Sequence, residues 1–240
     1  MFSEVLRYPR LQLASDCSVL VTFGINISRE HHRDVVRLFT LLLSERHPAI
    51  RNLHPAYCSL LITFDPLVAD PHHFRDFIHG LVERIDSVLL PMSRVVEIPV
   101  CYDTALGPDL QFVASHNHIS VAEVIRYHSS TEYLVYFLGF SPGFPYLGEL
   151  PKQLFAPRLP TPRVKVPAGS VAIGGNQTGI YPADSPGGWR IIGRTPLKLF
   201  RAERSEPALL HMGDIVRFVP ITRREFNEMA LLSMNQWRVA

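Results

Sequence analysis

Tyr133-Leu-Val-Tyr-Phe-Leu-Gly-Phe-Ser-Pro-Gly-Phe-Pro-Tyr-Leu-Gly148 is the stretch at which the texture of this sequence changes. It opens as an apolar run of strand length, then breaks into glycines and prolines. Proline lacks the backbone N–H that a helix or an inner strand requires, so the chain must turn after Leu138. The pattern then repeats. From 136 to 220, short apolar runs (Val164–Val166, Ser170–Ile173, Trp189–Ile192, Leu197–Phe200, Ile215–Val219) alternate with Gly/Pro turns. Many short strands punctuated in this way predict a closed or nearly closed β-barrel.

Working outward toward the N-terminus, residues 1–93 read differently. Leu11–Ala14 and Ser18–Phe23 flank a turn at Asp16 and predict a hairpin. Ser28 is placed to cap a helix running to about Arg46, with Val35, Leu38, Phe39 and Leu42 on its apolar face and Pro48 stopping it. Ile50–Leu53 and Ser59–Phe64 read as strands. Asp70-Pro71 opens a second helix, along which Phe74, Phe77, Ile78, Leu81 and Ile85 recur at helical spacing. Arg94–Cys101 is a further strand, with Glu97 and Pro99 at polar or edge positions. Two helices among about five strands suggest an α+β sandwich of the ferredoxin-like type. The expected division is 1–93, an α+β domain, and 94–240, a β-barrel domain. Ser120-Val-Ala-Glu123 forms a capping box before a helix ending near Ser130, and Thr222-Arg-Arg-Glu225 opens a short C-terminal helix to about Met234.

The 240 residues carry 24 Lys and Arg against 22 Asp and Glu, a net charge of +2 that is too weak and too interspersed for a nucleic-acid footprint. At 47% hydrophobic and 19% charged the chain is a globular composition, and no apolar run approaches the roughly 18 residues of a membrane span. Met1–Pro9 has an early acid and no extended apolar run, so no secretory signal and a cytoplasmic location are expected. Cys17, Cys58 and Cys101 show neither disulfide nor zinc spacing and read as reduced thiols. His31-His32 and His72-His73 read as solvated helix surface.

Two motifs invite over-reading. Gly139-Phe-Ser-Pro-Gly143 spells the G-x-S-x-G nucleophile elbow, but Pro142 and Pro145 forbid the helix that must follow, so Ser141 is not expected to be a nucleophile. Gly174-Gly-Asn-Gln-Thr-Gly179 resembles a phosphate-cradling loop without the Lys-Ser/Thr of a P-loop. An anion nest and a tight barrel corner are both open there. More informative is a set of large side chains on turns: Phe140, Phe144, Tyr146, Tyr181 and Trp189, with His128, Arg158, Arg163 and Gln177 between them. Rings beside an arginine suit a small planar anion, since the rings supply apolar area and the guanidinium grips a carboxylate or phosphate. The alternative is barrel packing with surface arginines.

These same residues carry a family resemblance. His128-Ser-Ser, Leu138–Gly148, Pro157-Arg158, Pro162-Arg163, Val166–Gly174, Gln177–Pro182, Ser185–Trp189, Ile192–Thr195 and Gly213–Phe218 resemble the signature of KipI-like proteins, the B subunits of 5-oxoprolinases, also called allophanate hydrolase subunit 1. The likeness extends weakly through Pro55–Leu61 and Glu97–Tyr102. It implies an α+β N-terminal domain, a cyclophilin-like C-terminal barrel, and a complex with a KipA-like C subunit. With a LamB/YcsF-like A subunit, such proteins open 5-oxoproline to glutamate using ATP. The resemblance also leaves room for a regulator of a sensor histidine kinase, or for a subunit of the allophanate hydrolase or urea carboxylase type. The segment from Thr222 to Ala240 is longer than the family core.

An unstrained lactam is a poor electrophile, and phosphorylating its oxygen makes a leaving group, which accounts for ATP. In that chemistry His128 is the expected acid/base, oriented by Glu132, and Arg158 stabilises developing charge. Phe144, Tyr146, Arg163, Gln177, Tyr181 and Trp189 are expected to line the substrate pocket. No metal is expected in this chain, and ATP is expected at a site shared between the proteins of the complex.

Overall fold

A computed structural model describes residues 8–90 and 92–235; the opening residues 1–7 and the end of the C-terminal segment, 236–240, lie outside the described residues. The chain forms two compact units, Met1–Met92 and Ser93–Ala240.

In the first unit, β1 (Arg10–Ser15) and β2 (Ser18–Thr22) form the antiparallel hairpin expected around Asp16, with Leu11 opposite Val21 and Leu13 opposite Val19. Helix α1 (Arg29–Glu45) starts where the Ser28 hydroxyl accepts the His31 N–H. It ends at Arg46, whose φ of 48° leaves the helical region just before Pro48. His32 corrects the solvated reading of its pair, because it is buried on the inner face of α1 beside Val35 and Leu38. Then come β3 (Ile50–Pro55), β4 (Ser59–Phe64) and α2 (Pro71–Val82), the last capped by Asp70, which accepts from the backbone of both His72 and His73. The sheet order is β1-β2-β4-β3. Alternation along β4 buries Leu60, Ile62 and Phe64 under the helices, where Phe64 stacks on Phe74 at 4.3 Å. Such period-2 burial fixes the register, since a one-residue slip would turn the whole set to solvent.

The strand expected to complete this sheet does not join it. β5 (Val95–Val100) runs parallel to the last strand of the second unit instead. That unit continues with α3 (Leu110–His116), α4 (Val121–Ser129), β6 (Glu132–Leu138), β7 (Pro145–Leu147), β8 (Arg163–Val166), β9 (Ser170–Gly174), β10 (Gln177–Ile180), β11 (Ser185–Gly187), β12 (Arg190–Arg194), β13 (Ile215–Pro220) and α5 (Arg223–Asn235). Seven of the unit's strands form one sheet in the order β12-β9-β10-β7-β6-β13-β5. Its two end strands meet: Cys101, just past β5, exchanges backbone hydrogen bonds of 2.9 and 3.0 Å with Arg194 of β12. The result is a nearly closed barrel, filled by Val100, Tyr133, Val135, Ile173, Ile180 and Phe218 and covered by α3 and α4. β8 and β11 pair as a separate two-stranded ribbon. The expected strand over Leu197–Phe200 reduces to a bridge between Phe200 and Ala208. The Ser120 and Thr222 capping boxes both form, with Glu123 and Glu225 accepting the cap residues' N–H groups. Among the described residues no helix is long and apolar enough to cross a membrane.

Candidate functional site

The Gly139–Gly143 run is the connection between β6 and β7. Phe144 N–H closes onto Ser141 C=O at 3.0 Å and Gly139 N–H onto Phe144 C=O at 3.1 Å, so a hairpin stands where a nucleophile elbow would need a helix. The tight turn holds Phe140 at φ 67°, a left-handed conformation that costs a bulky residue roughly 1–3 kcal/mol, and leaves its ring 65% exposed. Strain concentrated on one exposed aromatic suggests a binding element more than a packing one.

Phe140 edges one side of a cavity of about 330 Å³. Phe144, Tyr146, Tyr181 and Trp189 form its walls, with Arg158 at the rim and Gly187 and Gly188 beneath. The rings brace one another: Phe144 meets Tyr181 at 5.3 Å and Trp189 at 5.7 Å, both edge-to-face, and Tyr146 stacks on Phe137 at 4.4 Å. Two glycines make this possible. A Cβ on Gly174 would stand 2.5 Å from the Trp189 ring, and one on Gly187 would stand 2.3 Å from the Tyr181 Oη. Burial raises the Tyr181 phenol above its ordinary pKa, opposed by the Trp189 backbone N–H and the charges of Arg158 and Arg163, so it stays protonated and able to donate. Arg158 is exposed, lies 5.6 Å over the Trp189 ring, and among the described residues makes no ion pair.

Six of the residues singled out in the sequence therefore share one cavity: Phe140, Phe144, Tyr146, Arg158, Tyr181 and Trp189. The others do not. Arg163 donates to Asp109 at 3.0 Å, and its second terminal nitrogen is buried without a partner. Asp109, which the sequence did not single out, is the junction here. Its other oxygen accepts the Ile191 N–H at 2.7 Å, and Arg190 stands 3.8 Å away while gripping Pro157 C=O. This cluster pins the segment carrying Arg158 to the barrel. Gln177 sits opposite Gly174 in the β9–β10 hairpin, outside the cavity lining. The same hairpin decides the glycine loop: Gly175 has φ 67°, as a first turn residue needing glycine does, and its N–H is bonded to Ala156 C=O at 2.8 Å. It is a barrel corner and not a phosphate cradle.

His128 and Glu132 require the larger correction. His128 is fully buried in the barrel, stacked on Phe218 at 4.4 Å. Thr178 Oγ1 donates to Ala172 C=O, so it must accept from the His128 Nε2–H at 3.0 Å, and Nδ1 then accepts from the Tyr102 hydroxyl at 2.7 Å. Both nitrogens are satisfied by a neutral ring. Burial pushes its pKa down to about 3. Glu132 lies on β6 and accepts from Arg217 Nε at 2.8 Å, so it does not orient His128. The imidazole is a core polar group, remote in chemistry from an acid/base poised at neutral pH. Among the described residues no cluster of His, Cys, Asp and Glu is placed to hold a metal ion.

Residues 9–210 match the family described as carboxyltransferase domain, subdomain C and D. The chain belongs to this family, on its KipI-like side. It is 40% identical over 232 residues to the B subunit of 5-oxoprolinase from Bacillus subtilis (strain 168), covering 92% of this chain and 96% of that one. To the B subunit of 5-oxoprolinase from Escherichia coli O157:H7 it is 61% identical over 134 residues, 56% of this chain and 62% of the other. The crystal structure of TTHA0988 superposes with a TM-score of 0.75 at 39% identity over 85% of this chain. This KipI-like chain spans only 40% of the TTHA0988 chain, so there the same fold is one part of a longer polypeptide.

Proposed function

We propose that this chain is the B subunit of an ATP-dependent 5-oxoprolinase, opening 5-oxoproline to glutamate with a KipA-like and a LamB/YcsF-like companion protein. The observation that carries the reading is the aromatic cavity with the Arg158 guanidinium at its rim, which makes no ion pair among the described residues. It occurs in a chain that matches a 5-oxoprolinase B subunit over nearly its whole length. A cavity of about 330 Å³ lies at the small end of ligand sites, which run from roughly 300 to 1,000 Å³, and suits a compact ligand.

5-Oxoproline is a flat lactam ring bearing one carboxylate. In the proposed complex its ring rests between Phe144, Tyr146 and Trp189, and its carboxylate meets Arg158. The protonated Tyr181 hydroxyl donates to the lactam oxygen, where negative charge builds during activation. Arg163 acts behind Arg158, holding Asp109 and the segment in place. ATP supplies the activation by making the lactam oxygen a leaving group. No phosphate cradle occurs among the described residues, so we place the nucleotide at a site shared with the companion proteins.

The test is co-expression with both companions, with glutamate release from 5-oxoproline measured with and without ATP and with allophanate as the competing substrate. ATP-dependent glutamate release that Trp189→Ala abolishes is expected. A well-formed complex that turns over allophanate, or nothing, would sink the reading.

A further inference from the structure

The glycines around the aromatic cavity are of two kinds. Gly174, Gly179 and Gly187 have a packing reason. A Cβ on Gly174 would stand 2.5 Å from the Trp189 ring, one on Gly179 3.0 Å from the Phe144 ring, and one on Gly187 2.3 Å from the Tyr181 Oη. At each of them the space of the missing side chain is already filled by an aromatic wall.

Gly188 is of the other kind. Its backbone lies outside the left-handed region, so the local conformation does not demand glycine. The nearest neighbours of a Cβ there would be Pro162, at 3.6 and 3.7 Å, and the Leu159 carbonyl oxygen at 3.8 Å, which is ordinary van der Waals contact. The fold therefore leaves room for a side chain at 188 that the residue does not fill. Gly188, Leu159 and Pro162 all line the cavity, so that room belongs to the space open to a ligand. Its width is held, because Gly188 C=O accepts the Leu159 N–H at 2.7 Å and ties the floor to the 159–162 segment.

We infer that Gly188 is a specificity-determining residue: its lack of a side chain sets the largest ring that the cavity admits beside Arg158. The inference rests on the 5-oxoprolinase reading above, since it takes the aromatic cavity as the site of the lactam, and adds the residue that gauges the ring. Arg158 is the one charged group among the described lining residues. A ring acid is thus anchored by its carboxylate, and its remaining atoms must fit what the walls and Gly188 leave. In an apolar pocket one methylene changes binding by roughly 10- to 200-fold, so a single methyl on the floor of a cavity of about 330 Å³ is enough to alter the choice of ring.

The experiment titrates the purified chain calorimetrically with lactam acids of three ring sizes: 4-oxoazetidine-2-carboxylate, 5-oxoproline and 6-oxopiperidine-2-carboxylate. Wild type is compared with Gly188→Ala, which adds the methyl, and with Pro162→Ala, which trims the facing side chain. Pro162 is exposed, so its truncation leaves the barrel packing intact and keeps the test open should the glycine variant fail to fold. Thermal melts of both variants should match wild type. Gly188→Ala should shift the affinity ratio toward the four-membered ring and away from 5-oxoproline by at least ~10-fold, and Pro162→Ala should shift preference toward the six-membered ring. If folded variants keep the wild-type ratios, or lose all three rings equally, Gly188 is not the gauge, and the 5-oxoprolinase reading stands as long as the co-expressed complex releases glutamate. If the wild-type chain binds none of the rings, the inference is overturned, and the absence of glutamate release from the complex would take the 5-oxoprolinase reading with it.

Discussion

The burial of His128 makes a quantitative prediction about acid stability. In the folded barrel its pKa is about 3, against an ordinary value of 6.5. The unfolded chain therefore binds a proton at His128 below pH 6.5 that the folded chain refuses until about pH 3. Stability from this group is complete above pH 6.5 and is lost as the pH falls through that window, which is the sign for a depressed histidine pKa. The loss is roughly 1 kcal/mol by pH 5.5 and about twice that by pH 4.5. Carboxylates whose pKa values are lowered by hydrogen bonds, such as Asp65 and Asp184, add their own losses only at still lower pH. The assay is urea unfolding at pH 7.5 and 5.5, followed by tryptophan fluorescence, which reports on the barrel through Trp189. His128→Gln should be less stable than wild type at pH 7.5 but should lack the His128 part of the pH dependence, so the gap between the two narrows by roughly 1 kcal/mol at pH 5.5. An unchanged gap would mean that His128 is not sealed in the core, and the correction to its role would fail.

Other expectations concern the cavity and its supports. If the proposed 5-oxoprolinase complex is the working form, Arg158→Ala should raise its KM for 5-oxoproline by roughly 10- to 100-fold with a smaller effect on kcat, as loss of a carboxylate grip does; an unaltered KM would remove Arg158 from the site. Gly187→Ala places a methyl where the Tyr181 hydroxyl stands, and should destabilise the barrel by about 1–3 kcal/mol and lower activity, both read by thermal melts and turnover. Asp109→Ala leaves Arg163 and Arg190 without their shared carboxylate and should cost about 3 kcal/mol of unfolding free energy, with the melt again the measure.

Much of the local structure was legible because its causes are local. Ser28, Asp70, Ser120 and Thr222 cap their helices, and the alternation of Leu60, Ile62 and Phe64 gives a half-buried strand, since each depends on neighbours a few residues away. Helix α3 was not legible: no side chain of Asp109 caps it, and that carboxylate is engaged with Arg163 and the β12 backbone far along the chain. Sheet membership of β5 was hidden for the same reason, as nothing in Val95–Val100 records that its partner is β13. At the candidate site, aromatic residues on Gly/Pro turns pointed to the cavity because glycine is what lets Trp189 and Tyr181 come so close to backbone. Motif membership misled for His128 and Arg163. A residue type fit for chemistry is equally fit for a satisfied internal hydrogen bond, and only the placement of Tyr102, Thr178 and Asp109 distinguishes the two.

The way the barrel ends on itself limits how it can be recognised. Past β5 the chain runs alongside β12, with Cys101 bonded to Arg194 in both directions and Asp109 serving Ile191 through its N–H and its carboxylate. That margin of the sheet is occupied, so no foreign strand can extend it there. Association at that margin must go through side-chain complementarity, and an assembly built so can come apart without any strand being peeled from the barrel.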